Sequence, residues 1–183
     1  MRCDNRSVAI GSRALQIAEA VPEKYPMNSG HSGLRGFRGA NTERSLTAAQ
    51  YKRIADTHGM AGVGSAGSTS YDWIQSYSAV MQAMGPGGIG GFGTDTNGLA
   101  IGMPARRGSS VRYDASYPKS HSGTRDWDYN RDGVVHYGML SDFLKDARTA
   151  PNGAALIDNN LMKGAQYFVD TWKKCERLKN SVR

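Results

Sequence analysis

Two amphipathic helical stretches alternate with three short apolar runs in the middle of this chain, and that order restricts the fold more than any other feature. The apolar runs are Tyr25-Pro-Met-Asn-Ser29, residues 60–65 (MAGVGS) and residues 88–94. Thr47-Ala-Ala-Gln50 is a capping box that predicts a helix through about Thr57, closed by His58-Gly59. Ser70 is placed as the cap of the next helix. There Trp73, Ile74, Tyr77, Val80, Met81 and Met84 recur at spacings of three and four before Gly85-Pro86. Strands that alternate with helices run parallel, and such sheets carry functional groups at the carboxyl ends of their strands.

The outer parts are read in the same way. Residues 7–21 place Val8, Ala14, Leu15, Ile17, Ala18 and Val21 on one helical face, and Met1 to Asn5 fit the end of a further strand. A loop covers 95–135, long enough to be functional or mobile. The end is helical over 137–148 and 153–178, with a break expected near Asp158. All of this fits one domain, 1–183, of α/β class.

Composition removes several function classes. The chain carries 23 Lys and Arg against 16 Asp and Glu, a net charge of +7. The basic residues are dispersed without interleaved aromatics, so no nucleic-acid partner is expected. No apolar run reaches about 18 residues, so no membrane span is expected, and MRCDNRSV has no signal-peptide core. Cys3 and Cys175 form no framework. A soluble protein is the plain expectation.

Gly88-Ile-Gly90-Gly91-Phe-Gly93 matches the GxGxxG dinucleotide fingerprint in form. That fingerprint must follow a strand and open a helix, whose amino terminus holds the pyrophosphate. Here a helix precedes the glycines and a loop follows. They read instead as a buried strand where backbone approaches closely, delivering Asp95 and Asn97 to its carboxyl end. Those two residues serve either site chemistry or a turn. His31, read as lying just past the strand at 25–29, is either a solvated loop residue or a metal ligand. Arg35, Arg38 and Arg44 share its loop, and an arginine there can clamp a substrate carboxylate. Asp128-Tyr-Asn130-Arg-Asp132-Gly133 has the opening of a calcium loop, although position twelve is Met139 where a bidentate acid belongs. The other reading is a solvated turn. His58 and His121 read as surface residues.

The succession YPMNSGHSG, TERSLTAAQYKRIADTHGMAGVGSA, GGIGGFGTDTNGL, YNRDGVVHYGMLSDFLKDAR and NLMKGAQYFVDTWKK resembles the C-terminal half of the membrane dipeptidase (renal dipeptidase) family. These are metal-dependent hydrolases among the amidohydrolase-like barrels, and the likeness is to a divergent bacterial-type branch. The resemblance implies the second half of a (β/α)8 barrel, about strands five to eight, followed by C-terminal helices. It also implies hydrolysis of a dipeptide or small amide by water activated at two zinc ions. His31 matches a zinc-binding histidine and Asp95 an active-centre carboxylate that is ligand or base. Arg44 matches the arginine holding the substrate carboxylate. His136 falls where a residue overhangs the barrel mouth.

The departures are chemical. Where the family has its strand-five histidine this sequence has Asn5, a poor zinc ligand, with Asp4 beside it. The second acid of the last strand's motif has become Asn97. The His-x-Asp pair and bridging Glu of the family's early strands have no counterpart. The expectation is therefore an impaired hydrolase. It either lacks its first half, pairs with itself, or survives as a non-catalytic homologue that associates through open sheet edges.

Overall fold

The computed structural model describes residues 25–65, 67–95 and 102–181. The helix expected at 7–21, together with Cys3, Asp4, Asn5 and Asn97, lies outside the described residues. Four strands form one parallel sheet: β1 (Ser29–Leu34), β2 (Ser45–Leu46), β3 (Met60–Gly64) and β4 (Ile89–Gly93), in the order β2-β1-β3-β4. Helix α1 (Ala48–Asp56) joins β2 to β3, and α2 (Ser70–Met84) joins β3 to β4. The result is a mixed α/β fold.

Both helices start as their sequences dictate. Thr47 Oγ1 accepts from the Gln50 amide at 3.2 Å, while the Thr47 amide donates to Gln50 Oε1 at 2.9 Å. The cap of α2 is Thr69 rather than Ser70. Thr69 Oγ1 accepts from the Asp72 amide, whereas the Ser70 hydroxyl is spent on buried Asp146 at 2.5 Å. Gly85, at φ 79°, ends the helix as expected.

Ala61 pairs with Gly90 and Val63 with Phe92, so these four share the sheet face that meets α2. Trp73 is fully buried there, its ring centroid 4.6 Å from Phe92 and 5.0 Å from Tyr77. Its indole N–H donates to the Val63 carbonyl at 3.2 Å. On the opposite face the in-register pairs are Met60 with Ile89, Gly62 with Gly91 and Gly64 with Gly93. Past the first pair, β3 and β4 carry no side chains on that face.

The first strand differs from its reading. The apolar run at 25–29 leads into the strand, which begins at Ser29 and continues to Leu34. His31 therefore lies inside β1, not beyond it. The second strand, at Ser45–Leu46, was not expected; it pairs with Gly33 and Leu34 immediately before the capping box.

The 95–135 segment holds more structure than a loop. A hairpin pairs β5 (Ser120–Ser122) with β6 (Arg125–Trp127), and a single helical turn, α3 (Tyr129–Asp132), follows. Helix α4 (Leu140–Ala147) packs against α2. It carries Asp142, only 3% exposed. Burial pushes the Asp142 carboxyl above its usual range, against the downward pull of the Tyr117 and Tyr113 hydroxyls and the Lys145 ammonium.

The C-terminal stretch breaks at Asn160, near Asp158 as expected, between α5 (Gly153–Asn159) and α6 (Gly164–Ser181), with a 3-10 turn between them. Asn160 is taken out of the helix because its amide serves the outer edge of β4. Its Oδ1 accepts from the Gly90 amide at 3.0 Å and the Tyr77 hydroxyl at 2.6 Å. Its Nδ2 donates to the Gly88 carbonyl at 2.8 Å. An edge left open in the sequence reading is thus satisfied at these groups.

Candidate active site

Asp95 follows β4 by two residues and adopts φ +50°, a left-handed conformation that Asp tolerates better than most side chains. This turn carries its carboxylate back over the glycine face. There Asp95 Oδ2 lies 3.7 Å from His31 Nε2 and 3.6 Å from Arg44 Nη1. Arg44 Nη1 is also 3.2 Å from His31 Nε2. The three residues that the sequence singled out, from β1, the β1–β2 loop and the end of β4, therefore meet at one point.

A guanidinium can only donate, so at 3.2 Å His31 Nε2 is the acceptor and the ring proton sits on Nδ1. Side-chain exposure is 24% for His31, 44% for Asp95 and 60% for Arg44, so among the described residues the cluster is open to solvent. The other arginines of the loop are committed elsewhere. Arg35 donates twice to the Ser45 carbonyl, at 3.1 and 2.8 Å, and pins β2 to β1. Arg38 pairs with Asp72 at the start of α2. That pairing and the Thr69 hydroxyl hold the Asp72 carboxyl below its usual range, the Thr69 bond being the larger cause. Only Arg44 faces His31 and Asp95.

The donor set is incomplete for a zinc ion. A catalytic zinc takes about three protein ligands. The cluster offers one imidazole and one carboxylate, and no group of three His, Cys, Asp or Glu suited to a metal occurs among the described residues. The lone pair that a metal would need on His31 Nε2 points at Arg44 instead.

His136 belongs to another structure. Its Nδ1 accepts from the Gly138 amide at 3.1 Å, which caps a 3-10 turn, and its Nε2 is 3.3 Å from Ser120 Oγ on the hairpin. With Nδ1 accepting, the neutral ring carries its proton on Nε2 and donates to Ser120, so the pair is not a nucleophile with its base. The DxNxDG segment forms the α3 turn. Asp128 Oδ1 accepts from the Asn130 amide at 3.0 Å and Asp128 Oδ2 meets Lys119 Nζ at 2.8 Å. Asp132 receives Arg125, Arg131 and the Asp128 amide. Its carboxylates face cations of the chain itself, as befits a turn.

Sequence reasoning passed over the hydroxyl chain beneath the site. Ser29 Oγ donates to Ser32 Oγ at 2.6 Å, and Ser32 Oγ lies 2.8 Å from the Tyr51 hydroxyl on α1. Burial pushes the Tyr51 phenol up to about 12. Two serines three apart in a regular strand face opposite ways, so the spacing gave no signal of this contact, which arises from the register shift between Ser29 and Ser32.

No known protein family's profile matches the chain, and no curated protein matches it at a significant level. Among solved structures, an amidohydrolase from Pseudomonas aeruginosa is 25% identical over the matched part. The match covers 48% of this chain and 28% of that one, with a TM-score of 0.39. The chain spans under a third of that structure's length, and the likeness is too partial to bear on chemistry. Among the described residues, no helix is long and apolar enough to cross a membrane.

Proposed function

We propose that this chain is the later portion of a metal-dependent amide- or peptide-bond hydrolase of the amidohydrolase-like kind, the second half of a (β/α)8 barrel, with activity impaired in the chain alone. The order of motifs along the sequence supports this reading. The observation that carries it is the meeting of His31, Asp95 and Arg44 within 3.2–3.7 Å at the glycine face. The proposed substrate is a dipeptide or small amide bearing a carboxylate. Arg44 presents a planar fork of donors that fits this carboxylate in two parallel hydrogen bonds. Asp95, as base, takes a proton from the attacking water or orients that water. His31 is the zinc-binding position of the resembled family. The remaining ligands of such a centre are not among the described residues.

One observation favours a second reading, a non-catalytic homologue. Among the described residues the cluster offers a metal one imidazole and one carboxylate, short of the three ligands a catalytic zinc takes. A single assay separates the two. The full chain is incubated with a dipeptide in zinc, manganese or cobalt, beside Asp95→Asn and Arg44→Ala. The hydrolase reading expects slow metal-dependent hydrolysis, lost in Asp95→Asn and weakened in Arg44→Ala chiefly through KM. If the parent chain and Asp95→Asn are indistinguishable with every ion, the second reading stands.

A further inference from the structure

His31 reaches the cluster through an irregularity in its own strand. Ser29 pairs with Ala61 and Ser32 with Val63, so three steps along β1 match two along β3. The extra residue is a bulge, a device that re-aims side chains beside functional sites. It turns Ser29 and Ser32 to the same side, where their hydroxyls meet beneath Tyr51. It also lifts the Gly30–His31 peptide out of the ladder.

That peptide lies across the glycine pairs of β3 and β4. A Cβ on Gly62 would stand 1.9 Å from the Gly30 oxygen and 2.8 Å from its carbon. A Cβ on Gly93 would stand 2.4 Å from the same oxygen and 2.9 Å from His31 Cα. The obstructing atoms are backbone, so no side-chain rotation relieves either contact. Neither glycine has a positive φ, so alanine is excluded here by space and not by conformation. On the same face, a Cβ on Gly64 would make only ordinary contact, 3.6 Å from the His31 oxygen. Gly33, two residues past His31 in β1, has nothing within 4 Å.

We propose that Gly62 and Gly93 are positioning residues for His31. Lacking side chains, they let the bulged Gly30–His31 peptide cross the sheet, and this places the imidazole against Arg44 and Asp95. The importance of that placement for hydrolysis rests on the function proposed above; the placement itself does not.

The test needs no substrate, so it stands even if the chain hydrolyses nothing. The chain has four histidines, at 31, 58, 121 and 136. Their ring nitrogens are followed by long-range nitrogen–proton NMR in the full-length protein. In the parent, Asp95→Asn shifts the His31 ring signals. In Gly93→Ala, and in Gly62→Ala if it folds, the His31 signals move and no longer respond to Asp95→Asn, while those of His58, His121 and His136 stay in place. Gly64→Ala and Gly33→Ala keep the response. Two outcomes overturn the proposal: a His31 response that survives in Gly93→Ala, or a collapse of all four histidine signals in that variant, which would show the glycine to be needed for the sheet rather than for His31.

Discussion

Where the sheet meets α2, Ala61, Val63 and Phe92 stand against Trp73 and Tyr77. On the other face the corresponding positions are Gly62, Gly64, Gly91 and Gly93. The packed face removes apolar area from water and fixes the helices, which is where most folding free energy arises. The glycine face gives up that gain. In return, backbone can approach backbone there, and polar side chains collect without being buried. Charge follows the same division. On the packed side Asp142 and Asp146 are 3% and 2% exposed. Asp146 is fully engaged, by Ser70 at 2.5 Å, Arg106 at 3.1 Å and Tyr129 at 3.3 Å. On the glycine side Asp95 is 44% exposed. One side of the sheet carries the packed core and the other carries the His31–Asp95–Arg44 cluster, and substitutions should separate them.

The largest effect is expected at Trp73. Trp73→Ala removes a fully buried ring and leaves the Val63 carbonyl without its indole donor. A loss of about 3–5 kcal/mol in chemical denaturation is expected. A loss far below that would mean that the packed face carries less of the stability than its burial indicates.

Asp142→Asn tests the buried charge. Burial raises the carboxyl's pKa in the folded chain above its ordinary value. Between those two values the folded state holds more protons than the unfolded one, so stability falls as pH rises through that window and stays lowered above it. The neutral amide lacks this slope. The variant is expected to be more stable than the parent at pH 7, with the gap closing as pH drops below the ordinary aspartate range. Urea midpoints at several pH values measure it. A variant less stable at neutral pH would show that the tyrosine and lysine contacts outweigh the burial.

The smallest effects on stability belong to the site itself. His31→Ala, Arg44→Ala and Asp95→Asn remove half-exposed, loosely spaced charge contacts, and each should leave the unfolding free energy within about 1 kcal/mol of the parent. A larger loss in any of them would move the glycine face into the structural half of the comparison.

The legible parts of this fold are those set by local chemistry. The Thr47–Gln50 capping box, the helical period from Trp73 to Met84 and the Gly85 stop are each written within a short local stretch of chain, and each formed as read. The misplacements are long-range. Strand β1 starts four residues later than its apolar run because only Ser29 onward finds a partner in β3. Strand β2 has two residues and exists because β1 lies beside it. The helical break expected near Asp158 falls at Asn160, where an edge 70 residues away takes the amide. At 128–133 the sequence left a calcium loop and a turn open, and the turn is what forms, with Lys119 and Arg125 against its carboxylates.

By itself, the sequence determined that strands and helices alternate and that the strands run parallel, while His31, Arg44 and Asp95 were singled out by the family resemblance of its motifs. Helix caps, apolar periods and breakers act over a few residues and need no knowledge of the rest. Only the tertiary structure decided that these three side chains meet, because their convergence depends on a bulge in one strand and the absence of a Cβ on two others. The glycines at 62, 64, 91 and 93 repeat at every second position and were visible from the start. What each of them faces is a matter of which strand lies next to which, and no local pattern encodes that.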